Sequence, residues 1–347
     1  MTRPVRERTA APGPEPGASN GHRSLEIVFV VDPVESLDAA HDSSVALMEA
    51  AQARGHRLLI TTMADLGIRN GQATAVCTPL EVEPATLDGG RWRAPAQWYR
   101  RGGPQRRILT EVDVVFVRTD PPVDARYLRG TYLLDRVDDR RTLVVNAPSG
   151  LREANEKLST LRFPDLCPPT VVSADADEIV DVTRTWGVAV VKPTDGMAGR
   201  GVLMLRADDA NLRSLLEIAT ARGRDQVIVQ RFLPESVGGD RRVIVLDGAP
   251  VGAVRRIARD GEFRCNMAAG ARVVADSVTG RDVEICTRIA PVLATHGLHL
   301  VGIDVIGDHL TEINVTSPTG LREIQALCGI RCADAVVGWV EIRCRVR

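Results

Sequence analysis

L-E-I-V-F-V-V-D, from Leu25 to Asp32, is an almost unbroken apolar run. Such a run fits a β-strand covered on both faces. The stretch Asp42 to Gly55 follows, with apolar residues at helical spacing, Asp42 or Ser43 available as a cap, and Gly55 as the stop. H-R-L-L-I-T-T then reads as a second strand. Strand, helix, strand at the start of a chain predicts a parallel sheet of Rossmann type. Val112 to Pro122 and Thr142 to Pro148 add two more strands. The former ends in Arg118, Asp120 and two prolines. Charged groups at strand C-termini in an open α/β sheet lie at the binding crevice; equally, Asp120 is placed to cap a turn before Pro121. No G-x-G-x-x-G follows the first strand, which argues against a dinucleotide site there. The expected N-terminal unit spans residues 24–150. Residues 1–23 are rich in Pro, Gly and Ala, lack an apolar h-region, and read as a disordered tail rather than a secretory signal.

After Pro148 the pattern changes to α+β with antiparallel pairs. Leu151 to Phe163 reads as a helix bearing Lys157. Val188 to Thr194 reads as a strand bearing Lys192, followed by the glycine-rich turn Asp195 to Gly201. Gln226 to Leu233 is a strand, and Arg241 to Ile257 a hairpin turning at Asp247-Gly248. His299 to Pro318 contains a second hairpin with its turn at Gly307-Asp308. Glu312 and Asn314 are two apart and share a face. With a three-residue loop, Gly307 to His309, Asp304 lies directly across from Glu312. Like charges facing each other across a sheet repel unless a cation lies between them. Carboxylate and amide oxygens are what Mg²⁺ accepts. The plainer reading is a hairpin with three solvated polar residues.

Composition excludes several classes. The chain has 347 residues, 44% hydrophobic and 26% charged, with a formal net charge of −1. Nothing in that balance favours nucleic acid or an anionic membrane, and no apolar run approaches membrane-spanning length. The seven cysteines are odd in number and form no Cys-x-x-Cys pair, so reduced thiols are expected. Lys192 is the more telling single residue, because an apolar strand rarely carries an amine without a use for it. A lysine beside glycines whose backbone N–H groups are open to approach is a phosphate-binding arrangement, though not a Walker A motif.

N-E-K-L, V-V-K-P-T-D-G-M-A-G-R-G-V, the D-R-R-V hairpin, V-G-I-D-V-I-G-D-H-L-T-E-I-N-V-T-S-P-T-G-L-R-E, R-T-D-P-P and V-V-D-P-V together resemble bacterial glutathione synthetases of the ATP-grasp superfamily. The resemblance runs in order from about Leu25 to about Ile324. It implies a Rossmann-like N-terminal (pre-ATP-grasp) domain and a two-lobed ATP-grasp domain over 151–347, with a lid at about 151–229 and a metal-binding lobe at about 230–347. Lys157 and Lys192 would bind phosphate, with Gly196, Gly199 and Gly201 in the lid turn. Gln230, Arg231, Phe232 and Leu233 would form the adenine hinge through backbone atoms. Asp304, Glu312 and Asn314 would hold Mg²⁺ or Mn²⁺. Arg242, Arg264 and Lys192 would be catalytic, Arg242 near the transferred phosphoryl group. Asp32, Ser43, Arg118, Asp120, Arg256, Asn266, Ser317 and Thr319 would contact substrate, and Arg256 to Ala269 would form a mobile loop.

The implied reaction makes glutathione, ADP and phosphate from ATP, γ-glutamylcysteine and glycine through an acyl phosphate. The implied setting is cytoplasmic, in a homo-oligomer, commonly a tetramer, with small-molecule partners only. Three positions depart from the family pattern: Ala198 and Cys265, where glycine is expected, and Thr119, where a basic residue is expected. Each reads either as neutral drift or as altered specificity. Two competing functions stand beside the main one: a related ligase joining another carboxylate and amine, and a nucleotide-binding protein without catalysis.

Overall fold

The computed structural model describes residues 23–267 and 270–346. The expected tail, apart from Arg23, and residues 268 and 269 of the expected mobile loop lie outside the described residues.

The N-terminal sheet places strands in the order Leu143–Val145, Val114–Val117, Glu26–Val30, Arg57–Thr61, all parallel. The antiparallel strand Gln72–Val82 follows. Helix Ser43–Ala53 makes the first crossover. Its first turn is capped by Asp42, which accepts from the amides of Ser44 and Val45. A capping carboxylate satisfies donors that the helix leaves unpaired. Gly55 ends the segment at φ +82°. The C-terminal ends of the first and third of these strands in sequence bring Asp32 and Asp120 together, with the Asp120 amide donating to Asp32 Oδ2 at 2.9 Å.

The segment between Thr61 and Val112, where no element was expected, holds Gln72–Val82 and its partners Leu66–Arg69, Tyr99–Arg101 and Gln105–Ile108. A separate hairpin, Thr86–Asp88 with Arg91–Arg93, projects from it. Its Trp92 lies under the Arg322 guanidinium, 4.6 Å from the ring centre.

The second sheet has the order Thr170–Ser173, Val227–Arg231, Val188–Pro193, Leu203–Arg206, all antiparallel. Helices Ala176–Trp186 and Leu212–Ala219 close its own small core of Ile179, Val191, Leu205, Leu216 and Val229. The third sheet runs Arg272–Ala275, Ala249–Ile257, Asp240–Leu246, Leu300–Ile306, His309–Asn314. Its first hairpin turns at Asp247 and Gly248, both at positive φ, the requirement of a tight two-residue turn. Helix Cys332–Val346 returns to the N-terminal unit, where Glu341 meets Arg54 at 2.7 Å and His56 at 3.0 Å.

Two expectations need correction. The segment Leu151 to Phe163 is not one helix. A helix spans Pro148–Glu153, and a short 3₁₀ turn spans Leu158–Arg162. Asn155 breaks it by accepting from the amides of Lys157 and Leu158, a local competitor to helical bonding. The second correction concerns the loop that aligns Asp304 with Glu312. The pairing is as expected, but the loop has two residues, Ile306 facing His309, and the missing residue is recovered by a bulge between Asp304 and Val305 that leaves Thr311 unpaired. A bulge inserts one residue into one strand and so restores the register that a shorter loop would have shifted.

Candidate active site

The hairpin face presents Asp304, Glu312 and Asn314 as alternation requires, with Asp304 opposite Glu312 and Asn314 opposite Gly302. The cations that meet Asp304 come from other strands. Arg242, on strand Asp240–Leu246 directly across from Asp304, forks onto it with Nε–Oδ1 at 2.5 Å and Nη2–Oδ2 at 3.0 Å. Arg256 reaches Asp304 Oδ2 at 2.8 Å and forks onto Asp240 at 2.7 and 2.5 Å. All four are buried, at 5% (Arg242), 2% (Arg256), 7% (Asp240) and 3% (Asp304) exposure. Burial opposes ionisation of Asp304, yet the Arg242 and Arg256 guanidiniums outweigh it and hold the carboxyl well below the usual range.

Glu312 behaves in the opposite way. Burial and the Asp304 charge push its carboxyl up, against the pull of Lys157 and Lys192. Lys157 Nζ stands 3.6 Å from Glu312 and also donates to the Gly196 carbonyl in the lid turn. Burial lowers the Lys192 ammonium, and the Lys157 charge adds to that, against attraction from Glu312. Glu312 and Lys192 are thus both held against their charged forms, a strain that a cation at the former or an anionic phosphate at the latter would relieve.

Two clefts meet here. The first, of about 820 Å³, is lined by Lys157, Lys192, Gly196, Gly199, Gln230, Arg231, Phe232, Leu233, Arg264, Asn266, Asp304 and Glu312 among others. The second, of about 780 Å³, is lined by Asp120, Gly196, Arg242, Arg256, Asn266, Glu312, Asn314, Ser317 and Thr319 among others. Gly196, Asn266 and Glu312 belong to both. The lid turn touches the loop at this junction: Arg264 donates to the Gly199 carbonyl at 3.2 Å, and a Cβ on Gly199 would collide with Asn266.

Several expected residues sit outside both clefts. Gly201 packs at φ +72° against Pro193. Asp32 acts on Asp120, as described above. Arg118 lies behind the second cleft, bonded to Ser44 Oγ and the Pro318 carbonyl. Ser43 is fully buried and accepts from the Leu321 amide at 3.3 Å; it holds a helix start and lines no cleft. In the hinge, the Arg231 and Phe232 amides already donate to Pro169 and Val188, so they are not open to a base. Ala198 lines the second cleft and Cys265 the first. Thr119 lines neither; its hydroxyl bonds weakly to the Val30 carbonyl at 3.4 Å. Asp240, Glu156 and Arg200 line the clefts without having been singled out in the sequence. Each lay inside a quoted motif without being given a role: Glu156 beside Lys157 in N-E-K-L, Asp240 at the start of D-R-R-V, and Arg200 in the glycine-rich turn.

The donor set fits a hard divalent cation. Oδ1 of Asp304 carries one guanidinium contact while Oδ2 carries the others, and a carboxylate offers about four lone-pair positions. Asn314 turns its amide nitrogen toward Gly302 O and Asp304 Oδ2, which leaves its oxygen free as a ligand. Hard cations take such oxygens.

A lysine-lined cleft under a glycine-rich lid, joined to an oxygen-ligand hairpin, defines an ATP-grasp fold. Solved structures share the fold. The ATP-grasp ligase PsnB superposes with a TM-score of 0.59 over 93% of this chain and 99% of that one at 18% identity. D-alanyl-alanine synthetase A from Vibrio cholerae gives 0.53 over 93% and 99% at 15% identity. Within that fold the chain belongs to the prokaryotic glutathione synthetase family: the family's N-terminal domain matches residues 25–152 and its ATP-grasp domain residues 156–329. The glutathione synthetase of Synechocystis sp. is 48% identical over 317 residues, covering 91% of this chain and 99% of the relative. That of Shewanella oneidensis is 40% identical, covering 92% and 99%. Among the described residues no helix is long and apolar enough to cross a membrane.

Proposed function

We propose that this chain joins γ-glutamylcysteine to glycine at the expense of ATP. The observation that carries the reading is the shared wall of the two clefts. A phosphate-binding side with Lys157 and Lys192 and a polar side with Arg242, Ser317 and Thr319 meet at Gly196, Asn266 and Glu312. A nucleotide in the first cleft would present its terminal phosphate to a carboxylate in the second.

A carboxylate and a triphosphate repel. Lys157 and Lys192 offset that repulsion on the nucleotide side, and Arg242 faces the second cleft. The substrate carboxylate oxygen attacks the γ-phosphorus as the bridging oxygen leaves with ADP. The amine nitrogen of glycine then attacks the acyl carbon, phosphate leaves, and the nitrogen gives up its proton. Mg²⁺ on Asp304, Glu312 and Asn314, when bound, would supply further charge to the phosphates. Arg264 and Asn266, on a loop that reaches the lid turn, close the junction against water, which would otherwise hydrolyse the acyl phosphate. In this reading the working divisions are residues 24–150, 151–229 and 230–347.

The test is ADP release with Mg-ATP, γ-glutamylcysteine and glycine, omitting each in turn. Sustained release is expected only with all three. Release that needs neither substrate, or much faster turnover with other dipeptide–amine pairs, would overturn the assignment.

A further inference from the structure

Residue 156 holds the strand on both sides of Asn314. Its backbone carbonyl accepts from the Ile313 amide at 2.8 Å. Its side-chain Oε1 accepts three donors: the Val315 amide at 2.9 Å, the Thr316 amide at 3.2 Å and the Thr316 hydroxyl at 3.0 Å. The segment carrying Glu156 is itself fixed, since Asn155 caps the turn that follows and donates to the Thr194 carbonyl in the lid at 2.9 Å. The next residue is Lys157. One short segment therefore sets both the lysine of the nucleotide cleft and the strand that offers Glu312 and Asn314.

We infer that Glu156 is a positioning residue. It fixes Asn314 and Glu312 against Lys157, so that a cation on the hairpin and a phosphate on the lysine fall at one distance. This rests on the ligase reading only in taking Asp304, Glu312 and Asn314 as the cation site. Three donors on one oxygen make the contact a geometric clamp, and groups that orient metal ligands govern affinity though they never touch the ion. The Val315 carbonyl is held separately by Asn146 Nδ2 at 2.8 Å, so loss of Glu156 would loosen the strand end without releasing it.

The experiment measures ADP binding by calorimetry with and without Mg²⁺, and the Mg²⁺ concentration for half-maximal turnover, in Glu156→Ala, Glu156→Gln and Thr316→Val. Glu156→Ala should raise the half-saturating Mg²⁺ about 10- to 100-fold and abolish the tightening of ADP by Mg²⁺, while metal-free ADP affinity stays at the parental value. Glu156→Gln keeps an acceptor oxygen and should restore the parental metal dependence. Thr316→Val removes one donor and should shift the dependence the same way by less. A parental metal dependence in Glu156→Ala, with only its melting temperature lowered, would overturn the inference. So would a Gln variant as impaired as the Ala variant, because charge rather than geometry would then be at work. If Glu156→Ala does not fold, an unshifted Thr316→Val overturns the inference alone. ADP binding uses neither dipeptide nor glycine, so a failure of the substrate assignment leaves this measurement intact.

Discussion

Asp304 and Glu312 face each other across one hairpin, yet neutralising them should have opposite effects on stability. Arg242, Arg256, Asp240 and Asp304 form a buried set in which two positive and two negative charges cancel. Asp304→Asn leaves that set with one uncompensated positive charge and places an amide nitrogen against a guanidinium. Breaking a buried pair from one side costs about 3–5 kcal/mol. Unfolding entropy near 2.1 cal/mol/K per residue over 347 residues means that 1 kcal/mol moves the melting temperature by about 1.4 °C. Asp304→Asn should therefore melt about 4–7 °C below the parent.

Glu312 has no matched guanidinium, and burial and Asp304 already push its carboxyl up. A raised carboxyl means that the ionised form costs stability at neutral pH, so Glu312→Gln should melt at or slightly above the parental temperature. Both variants should lose turnover. Differential scanning calorimetry in metal-free buffer reads the contrast directly. Replacing Arg242 by Gln alongside Asp304→Asn restores neutrality and should recover much of the loss, as removal of both partners of a buried pair does elsewhere. An Asp304→Asn protein that melts with the parent, or a double variant no better than the single, would refute the charge-balance argument. Asp304 anchors two guanidiniums as well as presenting oxygen to the cleft.

Lys192→Met should raise the melting temperature while abolishing ATP-dependent turnover. Burial lowers the Lys192 ammonium, so its native pKa lies below the unfolded value and its charge costs stability at neutral pH; a melting temperature below the parent would contradict this. Ala198 sits at φ +56°, where a side chain costs roughly 1–2 kcal/mol. Ala198→Gly should relieve part of that, with the looser unfolded chain opposing, and limited proteolysis at the lid turn should slow; faster cleavage would count against it. Asp247 accepts from Arg343, Trp339 and His299, bonds that outweigh burial and hold its carboxyl below the usual range. That contribution is complete above the unfolded value of about 3.9 and is lost as pH falls through the lower native value. Asp247→Asn should therefore flatten the acid limb of the stability curve and loosen helix Cys332–Val346, seen as faster amide exchange there; an unchanged limb would refute it.

What the chain disclosed in advance follows from the range of the interactions involved. Turn chemistry and alternation are local, so the hairpin face bearing Asp304, Glu312 and Asn314 was legible, as were the Asp247-Gly248 turn and the strand bearing Lys192. Even the error in loop length was absorbed, because Gly307-Asp308 closes a two-residue turn and the bulge at Thr311 restores the pairing. The break at Asn155 was missed because a side-chain bond to nearby amides competes with a helix without altering the apolar spacing. The segment Gln72–Val82 was missed because its neighbours cover both faces unevenly, which blurs the period of two.

Charge balance was the least legible feature, for a reason that reaches the mechanism. The repulsion between Asp304 and Glu312 was visible from their spacing, and a metal was the cation proposed to lie between them. The structure shows that guanidiniums from Arg242 and Arg256, 62 and 48 positions before Asp304, already hold one of the two carboxylates. A cation arriving at Asp304 therefore enters a site whose charge is balanced. It would gain most at Glu312, the carboxylate left without a guanidinium, and Lys157 stands between that carboxylate and the lid turn. The hairpin's two acids are thus unequal, one clamped by two guanidiniums and the other facing lysines, and it is Glu312 that both clefts share with Gly196 and Asn266.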